Sequence, residues 1–143
     1  DNGYEHVINY TKDDFAKKVL EITNNEGVAA VFDGVGKKTF KGSISCLKPR
    51  GTMVSFGNAS GSLDPVDVKK DIQSKSLYLT RPTIVHYFKN RKEFQDGADA
   101  IFEKIKYGKV KINIFKEYKL IDAQKAHQDL EARKLLGPAI LIP

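Results

Sequence analysis

The stretch Val28-Ala29-Ala30-Val31-Phe32-Asp33-Gly34-Val35-Gly36 decides the fold. A continuous apolar run that ends in aspartate and a Gly-x-Gly turn reads as a strand buried on both faces of a parallel sheet. Parallel neighbours need long crossover connections, commonly helices. The sequence on either side should therefore alternate between strand and helix, and it does.

Before this run, His6-Val7-Ile8-Asn9-Tyr10 is a short β-type segment. Thr11 follows as the expected helix cap, with Asp13 and Asp14 placed to suit the positive helix start. Phe15, Val19 and Ile22 recur at helical spacing, and Asn24-Asn25-Glu26-Gly27 is a stop signal. After the run, Phe40, Ile44 and Leu47 mark a second helix, which Pro49-Arg50-Gly51 is expected to end. Thr52 to Phe56 reads as a strand, Asn58 to Pro65 as a surface loop and Val66 to Ile72 as a weakly marked helix. Leu77 to Thr80 is a further strand, closed by Arg81-Pro82. Asn90 caps a long helix with an apolar stripe of Phe94, Ala98, Ile101, Phe102 and Ile105, and Gly108 stops it. Lys109 to Phe115 alternates as a half-buried strand. Asp122 caps a last helix with Ala123, Ala126, His127 and Leu130 on one side, and Ala139 to Ile142 forms the closing strand. The fold class is α/β, with a mostly parallel sheet and flanking helices.

Composition narrows the function. The chain has 143 residues, of which 41% are hydrophobic and 29% charged, the balance of a globular domain and not of a disordered one. No apolar run approaches the roughly 18 to 20 residues of a membrane helix. The first residues show no basic region followed by an apolar one, so no secretory signal is read there. They also lack an initiator Met, which implies processing or truncation. A single cysteine, Cys46, allows no internal disulfide and no multi-thiolate zinc site, and points to a reducing, cytoplasmic setting. The net charge is +6, but only Arg50, Arg81, Arg91 and Arg133 among the 24 basic residues are arginine. The lysines are scattered and not interleaved with aromatics on one face. This pattern reads as a solvated surface and argues against a nucleic-acid partner.

No catalytic set is visible. His6, His86 and His127 have no metal-ligand spacing, and His127 on an apolar helix face reads as a core histidine. Cys46, within Ile44-Ser45-Cys46-Leu47, reads as a small buried hydrophobe. No Gly-x-Ser-x-Gly elbow occurs. Two turns are more suggestive. Asp33-Gly34-Val35-Gly36 and Ser55-Phe56-Gly57-Asn58 both follow strands at the carboxyl end, where open α/β sheets bind ligands. They are either tight turns or places where the backbone approaches a cofactor closely. The Gly-x-Gly-x-x-Gly phosphate fingerprint is missing.

Several segments resemble the zeta-crystallin-like NADPH:quinone oxidoreductases, the zinc-free branch of the medium-chain dehydrogenase/reductase superfamily. They are His6 to Tyr10, Asp33-Gly34-Val35-Gly36, Cys46-Leu47-Lys48-Pro49-Arg50-Gly51 and Val54 to Gly61, followed by Ser76 to Thr83 and Asp129-Leu130-Glu131-Ala132-Arg133-Lys134. The motifs occur in the family's order and cover nearly the whole chain, but they correspond only to the family's C-terminal part. The resemblance implies a partial Rossmann-type domain over residues 1–108, without its first two strands and Gly-rich loop. Residues 109–143 would be a β-α-β segment that, in the family, belongs to the GroES-like catalytic domain.

The resemblance also implies a partial NADPH site and no metal. Tyr10 matches a family tyrosine near the adenosine 2′-phosphate. Gly34 stands where the family usually has serine, so a hydroxyl contact to the cofactor is lost. Phe56 and Gly57 match residues beside the nicotinamide, and Arg133 matches an arginine of the cleft between domains. The lysine that grips the 2′-phosphate would precede Asp1, so the choice between NADPH and NADH is not readable. Hydride transfer to a quinone is the implied reaction. The isolated chain is expected to be inactive, as a piece of such an enzyme that an N-terminal half could complete in trans, or alternatively as a non-catalytic interaction module. A homo-oligomer, most simply a two-fold dimer, is expected through the Leu77 to Thr80 edge. His6 to Tyr10 is expected to slide beside Val28 to Asp33 or to exchange between chains.

Overall fold

The computed structural model describes residues 3–143. The chain divides into two compact units, one running to Tyr87 and the other starting at Phe88. Lys109, where the alternating pattern starts, lies inside the second.

The first unit is built on a parallel sheet of order β1-β2-β3, comprising β1 (Val28–Asp33), β2 (Leu47–Ser55) and β3 (Tyr78–Thr80). Helices α1 (Phe15–Ile22) and α2 (Phe40–Ser45) flank it. Together these give a partial Rossmann-type α/β fold. Its core is Phe40, Ile44, Leu47, Met53 and Leu77, with Val28, Val31, Leu63, Val66 and Ile72 packed around them. Leu47 and Met53 are fully buried, and each such side chain contributes about 1.5–3 kcal/mol. Helix α1 approaches α2 closely because residue 42 is glycine: a Cβ there would lie 2.6 Å from the Phe15 ring.

Several elements depart from the sequence reading. Thr11 does not cap α1. Its amide and hydroxyl donate to the Asn9 side chain at 3.1 and 2.7 Å, and Asp14 caps the helix by accepting from the Lys17 amide at 3.1 Å. Two cap-type residues three positions apart compete here, and the local turn at Asn9 engages Thr11 and leaves the cap to Asp14. Leu47 starts β2 instead of ending α2. Pro49-Arg50-Gly51 lies inside the strand as an irregularity, with Arg50 at φ 61°. The helix read at Val66 to Ile72 is a single π-helical turn, Val68–Ile72, capped by Asp67.

β1 is not buried on both faces. It is an edge strand: Phe32 is 72% exposed, while Val28 and Val31 pack on the core. His6 to Tyr10 forms no strand and does not pair with β1. A strand needs a ladder partner, and among the described residues no strand pairs with this segment. His6, Ile8 and Tyr10 instead line a cavity of about 300 Å³ alongside Val31, Phe32 and Gly34.

The second unit contains α3 (Arg91–Lys106), β4 (Lys116–Lys119), α4 (Ala123–Glu131) and β5 (Ala139–Ile142). Asn90 caps α3 by accepting from the Glu93 amide at 2.9 Å, and the Glu93 carboxylate takes the Lys89 amide at 2.8 Å. This reciprocal arrangement satisfies the helix start. β4 and β5 pair in parallel through the α4 crossover, Lys116 opposite Ala139 and Lys119 opposite Ile142.

Lys109 to Phe115 is not a strand, since the four residues of β5 pair with Lys116–Lys119 alone. Asp122 heads α4 without a side-chain cap bond. His127 is exposed, not a core residue. The buried residue of α4 is Asp129, which accepts from the Tyr118 hydroxyl at 2.9 Å and pairs with Lys134 at 3.2 Å. Those donors, Tyr118 first, hold its carboxyl below the usual range.

Candidate functional site

The candidate site forms at the carboxyl ends of β1 and β2, where the parallel strands release two turns side by side. Asp33 organises the first. Its carboxylate accepts from the Val35 amide at 2.8 Å and the Gly36 amide at 2.9 Å. It also accepts from the Thr39 hydroxyl at 2.8 Å and the Ser43 hydroxyl at 2.9 Å. Burial pushes this carboxyl up, but the bonds from Gly36, Thr39, Ser43 and Val35 outweigh it and leave the group below its usual range. Asp33 is therefore an ionised, fully satisfied organiser with no spare lone pair to act as a base.

The Asp33 carbonyl holds the second turn by accepting from the Phe56 and Gly57 amides at 3.0 and 3.3 Å. Gly34 and Gly57 then meet backbone to backbone. A Cβ on Gly57 would run into the Gly34 carbonyl group, so only glycine fits. The Phe56 ring stands over Gly34, where an added Cβ would lie 3.1 Å from it, and remains 55% exposed. Ser60 ties the following loop to the first turn by accepting from the Lys38 amide at 2.9 Å and donating to the Val35 carbonyl at 2.8 Å.

The structure thus brings Gly34, Phe56 and Gly57 together. Tyr10 lines the cavity that also reaches Gly34 and Asp33. Arg133 belongs to the second unit, exposed just beyond α4 with φ 55°. Cys46 is buried, and burial raises its thiol, consistent with an inert packing role.

The sequence reading named the Asp33 turn but gave Asp33 no role, nor Thr39 and Ser43. The available signal was an aspartate closing a strand, followed by hydroxyl residues six and ten positions on, within reach of one helical turn. A glycine and an exposed aromatic at a sheet's carboxyl end suit the flat ring of a dinucleotide. The sequence has no Gly-x-Gly-x-x-Gly run to open a helix onto the phosphates. Among the described residues, no group of three or more His, Cys, Asp or Glu side chains could hold a metal ion.

A family model described as zinc-binding dehydrogenase matches residues 2–141. The chain is 39% identical over 142 residues to 2-haloacrylate reductase from a Burkholderia species, covering 99% of this chain and 43% of the relative. It is 40% identical over 143 residues to quinone oxidoreductase 1 from Escherichia coli K12, covering 99% of this chain and 44% of that protein. The crystal structure of Escherichia coli quinone oxidoreductase complexed with NADPH superposes with a TM-score of 0.92 at 40% identity, over 99% of this chain and 44% of that one. The chain therefore spans less than half the length of the relatives it matches, and corresponds to their C-terminal portion.

Proposed function

We infer, from the premise that the chain belongs to the zinc-binding dehydrogenase family, that it carries the ring end of the site of an NADPH-dependent quinone oxidoreductase. The observation that carries this reading is the pair of turns locked together through Asp33, with Gly34, Phe56 and Gly57 gathered at the carboxyl edge of the sheet. When bound, NADPH supplies a hydride to the acceptor.

Each residue's part in this reading is limited and definite. Gly34 and Gly57 keep side chains out of the space against the ring. Phe56 covers one side of that space and excludes water. Tyr10 stands toward the adenosine end, and Arg133 serves the cleft. Among the described residues, no His, Cys, Asp and Glu side chains group as a ligand set for the zinc of the family description, so those residues do not fit it.

Residues 109–143 belong, in this reading, to the catalytic domain. The self-contained β4-α4-β5 unit supports that assignment. The partner in trans is a polypeptide equivalent to the N-terminal portion of the relatives, and the cavity beside the open edge of β1 supports a missing neighbour there. A homodimer through the β3 edge and a cytoplasmic location complete the proposal. Among the described residues, no helix is long and apolar enough to cross a membrane.

The test is NADPH binding and oxidation, first by this chain and then with the N-terminal portion of the Escherichia coli relative added. The chain lacks tryptophan, so cofactor fluorescence is read with little protein background. Alone, it should bind more weakly than about 1 mM, because the phosphate grip lies elsewhere. With the N-terminal portion, micromolar binding and quinone-dependent oxidation are expected. A folded mixture that neither binds nor oxidises NADPH overturns the reading.

A further inference from the structure

We infer that Arg81, with Asn58 and Ser62, forms an oxyanion subsite for the carboxylate of a small acceptor molecule. Arg81 immediately follows β3, at the same carboxyl edge of the sheet as Gly34 and Phe56. One guanidinium nitrogen, Nη1, is anchored inward and donates to the carbonyl and hydroxyl oxygens of buried Ser55 at 3.2 and 3.3 Å. Among the described residues, Nε and Nη2 donate to no protein acceptor, and no carboxylate lies within ion-pair distance of Arg81. Asp64, an acid on the neighbouring loop, is engaged by Lys37 at 2.8 Å.

Arg81 also lines a cavity of about 170 Å³, together with Asn58, Ser62 and Leu63. The lining supplies a planar cation, two neutral hydrogen-bonding side chains and one apolar surface. A guanidinium anchored at one nitrogen presents its remaining N–H groups as a fork, and a carboxylate matches that fork with two parallel bonds. Leu63 suits the short carbon tail that a carboxylate ligand has and inorganic phosphate lacks. Naming the ligand an acceptor rests on the function proposed above, but its binding can be measured without the cofactor.

The experiment follows the arginine Nε–Hε signals of the ¹⁵N-labelled full chain during titration with sodium acrylate. The chain has four arginines, and the signal missing from Arg81→Lys identifies Arg81. The Arg81 signal should move and saturate with acrylate, stay still with the matched neutral acrylamide, and respond at least tenfold more weakly to inorganic phosphate. Arg81→Lys should weaken acrylate binding at least tenfold, since an ammonium cannot form the fork. Because losing the Ser55 bonds could unfold that variant, Asn58→Asp provides a second route: residue 58 is exposed, and the added charge should weaken binding by a similar factor in a folded chain. A drift without saturation, equal movement of Arg91 and Arg133, or phosphate binding as tight as acrylate overturns the subsite. With NADPH absent from every arm, failure here leaves the cofactor reading standing. Conversely, acrylate binding by a chain that never takes up NADPH, even with the N-terminal portion, overturns that reading and not the subsite.

Discussion

The Ser43 hydroxyl donates to the Asp33 carboxylate at 2.9 Å, tying the end of β1 to the middle of α2 across ten residues of chain. With the Thr39 hydroxyl on the same carboxylate and the Asp33 carbonyl holding Phe56 and Gly57, one residue fixes both turns of the candidate site. The site is thus built on a rigid strand end and not on the loops themselves.

Replacing Asp33 should loosen the site through this network. Asp33→Asn removes the charge and turns one acceptor into a donor facing the Thr39 and Ser43 hydroxyls, a loss of about 2–3 kcal/mol for bonds to an ionised group. The native carboxyl lies below its ordinary value of 3.8. Its contribution is therefore present above the unfolded value and is lost as pH falls through the folded one. Urea midpoints should show the full gap between native and variant chains at pH 7. The gap should narrow from about pH 4 downward. A gap that widens on acidification contradicts an ionised Asp33.

The two glycines of the site should respond unequally to added side chains. On Gly57 a Cβ meets the backbone of Gly34, which cannot yield without pulling β1 and β2 apart. Gly57→Ala should therefore cost about 1–3 kcal/mol, as overpacking does. On Gly34 a Cβ meets only the Phe56 ring, which is more than half exposed and can turn aside. Gly34→Ser should change stability by no more than about 0.5 kcal/mol. Thermal melts of the two variants check this, and the reverse order contradicts the proposed fit of the turns.

What could be read from the sequence followed from periodicity and strong punctuation. The apolar run at Val28 to Asp33, the spacing of Phe15 and Val19, and the Asn90 cap are local signals, and the elements they mark are present. Misplaced boundaries occurred where local signals competed. Thr11 and Asp14 both suit a cap, and Pro49-Arg50-Gly51 suits both a helix stop and a strand irregularity. Burial was the least legible property because it depends on neighbours. Val28 to Asp33 has the composition of a central strand but stands at an edge, and His6 to Tyr10 has the composition of a strand but no ladder to join. In the site, Gly34, Phe56 and Gly57 could be named from their strand-end positions. The grip of Asp33 on Thr39 and Ser43 left only a faint trace in the sequence, two hydroxyl residues one helical turn apart, and needed the placement of α2 beside the end of β1.

The remaining edge of the sheet leads to the last prediction. β3 pairs with β2 on one side only, leaving the other side of Tyr78–Thr80 open. Its side chains are exposed, Tyr78 at 62% and Leu79 at 40%. An open edge with apolar side chains is a template for another strand, and Arg81-Pro82 limits it to a short, defined length. Pairing with the same edge of a second copy is self-complementary, so it closes at two chains instead of growing into a filament. β1 offers a second open edge, but the His6 to Tyr10 segment lies along the cavity beside it. The unmodified chain should therefore sediment as a dimer at tens of micromolar. Leu79→Lys, at the centre of the β3 edge, should sediment as a monomer with unchanged circular dichroism, because a partly exposed position tolerates lysine in the folded chain while the dimer would bring two added charges together. A stable monomer of the unmodified chain at high micromolar concentration, or a Leu79→Lys variant that remains dimeric, places the contact elsewhere.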